Sequence, residues 1–228
     1  LASANAAPGE VARFVAEAEA VAAVKHPNVV QVFDLGVTPG PGPDADRPYF
    51  VMEYVDGGSL AGYLHDAGGE LAPDAAARLL EAVARGVNAA NEAGIVHRDL
   101  KPGNIMLVPD SAVPGKERIK ILDFGVAKVL SAAAVGLDTP GVRTRTGMML
   151  GTPHFMAPEQ WTGVDVDEKA DVYALGVLFY EVLVGRVALD AEHNVALMYK
   201  HVHVAPTPLD QIDPVLPAPL IALVARML

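Results

Sequence analysis

Apolar residues recur along this chain at two spacings, and the spacing divides it into elements. From Val11 to Val24, Phe14, Ala18, Val21 and Ala22 fall three and four apart in an alanine- and glutamate-rich stretch. That predicts a helix, which His26, Pro27 and Asn28 end. Two β-rich runs follow, Val29 to Val37 and Tyr49 to Val55, with a Pro-, Gly- and Asp-rich loop, Thr38 to Pro48, between them. They are expected to be neighbouring strands of one sheet. Asp56-Gly57-Gly58-Ser59 reads as a turn, with Ser59 capping a short helix to about His65. Pro73 to Ala93 reads as a long helix that Gly94 stops. Short apolar runs then predict strands at Ile105 to Val108 and Ile119 to Leu122. Ser131 to Thr152 has no period and is rich in Gly, Thr and Arg, as an exposed functional loop is. The remainder is mostly helical, broken by prolines between Ala205 and Pro219. Its greasiest part, Val172 to Val184, is too short to span a bilayer and contains Glu181, so it predicts a helix buried on most sides.

Composition narrows the function. With 228 residues, 51% of them hydrophobic, the chain can bury a core as one domain or a pair of lobes. A net charge of −11 repels phosphate backbones and anionic lipid, so nucleic acid and membrane surfaces are not expected partners. There is no cysteine, hence no disulfide framework, thiolate nucleophile or cysteine zinc site, which suits a cytoplasmic setting. Leu1 to Glu10 does not read as a signal peptide. His201 and His203 lie two apart with no carboxylate at ligand spacing, and both are read as surface residues.

The chemistry concentrates in Ile95 to Asn104, which reads Ile-Val-His-Arg-Asp-Leu-Lys-Pro-Gly-Asn. Asp99, Lys101 and Asn104 share one tight loop after a helix. Phosphoryl transfer needs such a set: a carboxylate for the hydroxyl proton, a cation for the moving phosphoryl group and an oxygen ligand for magnesium. Each residue alone reads equally as a turn former or a solvated charge. Asp123-Phe124-Gly125 and Ala157-Pro158-Glu159 complete the set in order and spacing. With them the chain resembles the eukaryotic-type serine/threonine protein kinases, in a style similar to the bacterial branch, from about Val11 to Leu228.

The resemblance implies an α+β, two-lobed protein-kinase-like fold, with a partial small lobe over 1–57 and a mainly helical large lobe over 58–228. It implies ATP and Mg2+ as cofactors and Ser/Thr-containing protein substrates. Asp99 would be the catalytic base, Lys101 would face the transferred phosphoryl group, and Asn104 and Asp123 would hold magnesium. Lys101 and the Gly151-Thr152-Pro153 run match the serine/threonine pattern. Glu17 would pair with an ATP-anchoring lysine, although it reads as well as a solvated helix charge, with Glu19 as a rival. Backbone groups of Glu53 and Val55 would bond the adenine edge, Met52 would guard the pocket behind it, and Met106 would form part of its floor. Ser59 stands where many relatives carry an acidic residue for the ribose. Asp171 would anchor the catalytic loop from a central helix, and His97 would pack beneath Asp123 and Phe124. Thr144 and Thr146 occupy the stretch that phosphorylation switches in relatives, with Arg98 as the partner of the phosphate, an event that two copies could perform on each other.

No Gly-x-Gly-x-x-Gly occurs, and no strand lysine precedes Val11. The arginine that would pair with Glu159 is not reached before Leu228. The expectation is therefore a kinase domain truncated at both ends, itself weakly active or inactive, from a parent that could carry a membrane anchor elsewhere. The alternative is a non-catalytic kinase-like binding module, against which the intact Asp99, Asn104 and Asp123 argue.

Overall fold

The computed structural model of the chain describes residues 20–37, 48–113, 117–124 and 153–228. Glu17, most of the first helix, Gly125, Thr144, Thr146 and Thr152 lie outside them. Strands β1 (Val32–Val37) and β2 (Pro48–Met52) form an antiparallel pair, as the two β-rich runs predict, with Val32 opposite Met52 and Leu35 opposite Phe50. A second sheet joins β3 (Gly58–Ser59), β4 (Ile105–Pro109) and β5 (Glu117–Ile121), all antiparallel and in that order.

Val29 to Val37 is not one strand. Residues 28–30 instead stitch to β5: Val30 N–H donates to Ile121 O (3.0 Å) and Ile121 N–H to Asn28 O (2.8 Å). The Asn28 side chain adds a bond to Ile119 O (2.9 Å). Only from Val32 does the chain leave for β1. The second run stops at Met52 rather than Val55, although Glu53 N–H still reaches Gln31 O (2.8 Å).

Ser59 caps helix α1 (Leu60–Asp66), its hydroxyl accepting from Gly62 N–H at 3.2 Å. Helix α2 (Pro73–Glu92) starts on a proline, whose missing N–H costs nothing in a first turn. It buries Ala76, Leu79, Leu80, Val83, Val87 and Ala90, the stripe its three-and-four spacing dictates. Gly94 closes it at φ 77°, a conformation that favours glycine.

Later helices are α3 (Pro158–Thr162), α4 (Lys169–Val184), α5 (Asn194–His203), α6 (Leu209–Ile212) and α7 (Ala218–Met227). Helix α4 is the centre of the core, buried at Tyr173 to Tyr180 and at Val182 and Leu183. Its lack of a polar face, which raised the question of a membrane span, comes from burial on most sides, with Val172 left exposed. No helix among the described residues is long and apolar enough to cross a membrane. Helix α7 crosses at Gly176, where a Cβ would sit 2.8 Å from Met227 Cβ.

The reading of His201 as a surface residue is overturned. It is buried one turn after Leu197 on the inner face of α5, with Nδ1 2.7 Å from Tyr173 Oη and its ring stacked on Trp161. His203 is exposed, as expected, against the Tyr199 ring.

Candidate active site

The site begins where α2 stops. Ile95 N–H folds back to Ala90 O (3.0 Å), and the chain enters residues 97–104 before β4. Asp171, buried in the first turn of α4, holds this loop by its backbone: Oδ2 accepts from His97 N–H (2.8 Å) and Oδ1 from Arg98 N–H (2.9 Å). With its amide nitrogen facing the two oxygens, Asn91 donates to Asp171 Oδ2 (3.2 Å) and Ile95 O (2.7 Å). Burial pushes the Asp171 carboxyl above the ordinary carboxylate value, and the His97 and Arg98 N–H groups oppose that rise. These donors are the compensation that a buried carboxylate needs.

His97 is fully buried and locks a second point. Its Nε2–H donates to Leu122 O (2.9 Å), which leaves Nδ1 to accept from Asp99 N–H (3.2 Å). Its ring lies 4.7 Å from that of Phe124, in the place expected of it. Arg98 (φ 62°) and Asp123 (φ 54°) are the non-glycine residues with left-handed backbone among those described. Such strain persists only where surroundings over-determine it, and it gathers at functional sites.

The loop brings three of the expected residues together. Lys101 Nζ lies 2.9 Å from Asp99 Oδ2, and Asn104 Nδ2 donates to Asp99 O (2.8 Å) and to Oδ2 (3.2 Å). A turn at Pro102–Asn104 makes this reach possible, closed by Asn104 N–H to Lys101 O (3.0 Å). Asp123 joins them because Leu122 N–H binds Asn104 O (2.8 Å) at the end of β5. Partial loss of solvent, then the neighbouring Asp99 charge, raises the Asp123 carboxyl, while Lys101 opposes the rise.

Of the residues expected around an adenine, Met52 ends β2, Glu53 and Val55 follow it, and Met106 lies on β4. Met106 is half-buried on β4, opposite Ser59 on one side and Lys120 on the other. Lys120 Nζ in turn holds the Glu53 carboxylate (2.7 Å), which also accepts from Gln31 N–H (3.2 Å). Burial pushes the Glu53 carboxyl up, but Lys120 and the Gln31 amide outweigh it, and the group sits below its usual value. Val55 is half-buried beyond the end of β2, and Met52 is exposed. Sequence reasoning missed Asn91, Gln31 and Lys120, which face the site only through tertiary contacts. It also missed Gln160, whose Nε2 donates to Arg98 O (2.9 Å).

The protein kinase domain family matches residues 2–228. The chain belongs to this family. Its α+β architecture is the protein-kinase-like one. The chain is 39% identical over 221 residues to serine/threonine-protein kinase Pkn1 of Myxococcus xanthus, covering 97% of this chain and 29% of that protein. It is 38% identical over 201 residues to PknB of Mycolicibacterium smegmatis, covering 88% of this chain and 30% of the relative. With PknB of Mycobacterium tuberculosis H37Rv it shares 36% over 222 residues, covering 97% and 33%. This kinase domain thus spans about a quarter to a third of the length of the curated relatives it matches.

Proposed function

We propose that the protein transfers the γ-phosphate of ATP to Ser or Thr hydroxyls of protein substrates, with Asp99 as the catalytic base. The observation that carries this reading is the Asp99 carboxylate set 2.9 Å from Lys101 Nζ and 3.2 Å from Asn104 Nδ2, on a loop that Asp171 holds by two backbone bonds. Asp99 orients the substrate hydroxyl and takes its proton as the oxygen attacks. Lys101 faces the charge on the moving phosphoryl group. His97 and Asp171 keep the loop from relaxing out of its strained conformation.

The donor set suits magnesium. Asn104 spends its amide nitrogen on Asp99, which leaves Oδ1 as a neutral oxygen ligand, and Asp123 supplies a carboxylate whose raised pKa a cation would reverse. Bound magnesium would neutralise phosphate charge during transfer. For the adenine, Glu53 offers its carbonyl, since its N–H is taken by Gln31 O, and Val55 and Met106 supply the hinge contact and the floor. Glu17, with Glu19 as its rival, would take the role of pairing with an ATP-anchoring lysine. Residues 1–57 would supply a partial small lobe and 58–228 the large one, with the nucleotide between them. The protein works in the cytoplasm, and Thr144 and Thr146 receive phosphate from a second copy of the kinase.

The deciding experiment uses the natural full-length protein with Mg-ATP and a Ser/Thr substrate. Asp99→Asn should lower kcat by about 10²- to 10⁴-fold, the range for loss of a general base, with little change in melting temperature. Activity that persists in Asp99→Asn would overturn the assignment.

A further inference from the structure

The peptide unit that joins Arg98 to Asp99 is gripped at both ends of its strained residue. Arg98, at φ 62°, gives its N–H to Asp171 Oδ1 (2.9 Å) and accepts at its carbonyl from Gln160 Nε2 (2.9 Å). That carbonyl and the Asp99 N–H belong to one planar group, so a donor on the carbonyl sets the plane from which Asp99 departs. The N–H side of the same plane rests on His97 Nδ1 (3.2 Å).

Gln160 is committed at its other end too. Its Oε1 accepts from Ala157 N–H (3.0 Å), satisfying a backbone donor at the N-terminus of α3. The amide orientation follows from chemistry, because Ala157 N–H can only donate and Arg98 O can only accept. One side chain therefore ties Ala157-Pro158-Glu159 to the candidate catalytic loop, 62 residues earlier in the chain. Neither bond is needed for the helical hydrogen bonds of α3, where Gly163 N–H reaches Glu159 O unaided.

We propose that Gln160 is a positioning residue: it holds the Arg98–Asp99 peptide plane, so that Asp99 is aligned only while the Ala157-Pro158-Glu159 segment is seated. The proposal rests on the reading of Asp99 as the base. Movement of the α3 N-terminus takes the Nε2 donor from Arg98 O. Asp171 and His97 still hold the flanking N–H groups, but the carbonyl side of the Arg98–Asp99 plane loses this donor, and the plane tilts and turns Asp99 away from its working direction. Seating of that segment thereby becomes a condition for turnover, separate from nucleotide binding.

Two substitutions separate this role from simple helix capping. Gln160→Glu keeps an oxygen for Ala157 N–H but replaces the donor to Arg98 with an acceptor, whereas Gln160→Ala removes both bonds. In the full-length protein both should lower kcat about tenfold, the worth of one hydrogen bond, while KM for ATP stays within about twofold. Amide hydrogen exchange over residues 97–101 should speed up in both, and only Gln160→Ala should lower the melting temperature. Normal kcat and unchanged exchange in Gln160→Glu would overturn the proposal. So would loss of kcat in Gln160→Ala alone, which would mark a capping role. Were Asp99→Asn to stay active, the base assignment would fall, and the exchange measurement would still decide whether Gln160 holds the loop.

Discussion

At the scale of single residues, the candidate site is assembled from groups that would be costly elsewhere: a buried carboxylate at Asp171, two left-handed non-glycine residues, and two carboxylates near each other at Asp99 and Asp123. Asp123 shows the cost in a measurable form. Its folded pKa lies above the unfolded value, so its contribution to stability is fully present below pH 3.8 and is lost as pH rises through the folded pKa. At neutral pH and without metal, the ionised group therefore works against the fold. Asp123→Asn removes the charge, and Asn tolerates the left-handed backbone well. The expected outcome is a variant with a higher melting temperature than the parent at pH 7, a difference that shrinks toward pH 4, together with loss of phosphotransfer. Thermal melts across that pH range check it; a lower melting temperature at pH 7 would contradict the electrostatic account. The identities of Asp99, Lys101, Asn104 and Asp123 as candidates were legible in the sequence because they lie within short loops. The anchoring of the loop by Asp171 was legible through the family resemblance, whereas the Gln160 bond to Arg98, which spans 62 residues, was not.

At the scale of elements, the contact between α4 and α5 rests on a buried polar pair. His201 Nδ1 meets Tyr173 Oη at 2.7 Å, under Trp161. Burial, followed by the nearby His154, lowers the His201 pKa from 6.5 to about 4, and burial raises that of Tyr173 to about 12. A depressed histidine pKa means that its stabilising share is present above pH 6.5 and is lost as pH falls toward 4. The span corresponds to roughly 3 kcal/mol at most. His201→Gln keeps a hydrogen-bonding partner for Tyr173 but cannot titrate. Urea midpoints should therefore fall less between pH 7 and pH 4.5 in His201→Gln than in the parent. Equal slopes would show that His201 is not the group that titrates. Burial also raises the Glu181 carboxyl, but that group acts in the opposite direction and is common to both proteins. The apolar period of α5 marks Leu197 as inward, and His201 lies one turn further on the same face. Hydropathy alone placed it outside, because a histidine reads as polar until its partner is known.

Over the whole molecule, the candidate chemistry depends on α4 as a hub. Its buried length carries Asp171 at one end and accepts α7 across Gly176, so the loop that bears Asp99 is braced against the centre of the core. Thr144 and Thr146 lie outside the described residues, and their proposed phosphorylation is a matter of one molecule acting on another. Incubation of the full-length protein with Mg-ATP, followed by mass spectrometry, should find phosphate at Thr144 or Thr146, with a rate that rises with protein concentration. Phosphate elsewhere but never at these two, or full activity in the doubly alanine-substituted protein, would remove that assignment. By itself the sequence determined the family, the order of the elements and the residues of the candidate chemistry, because motifs and helical periods are local and survive without coordinates. Tertiary structure alone decided the rest: that residues 28–30 join β5 rather than β1, that His201 is buried, and that Asn91 and Gln160 join Asp171 in holding one strained loop. The physical reason is common to all three. Each depends on which faces of distant elements meet, and a side chain's burial or hydrogen-bond partner is a property of that meeting rather than of its own stretch of chain.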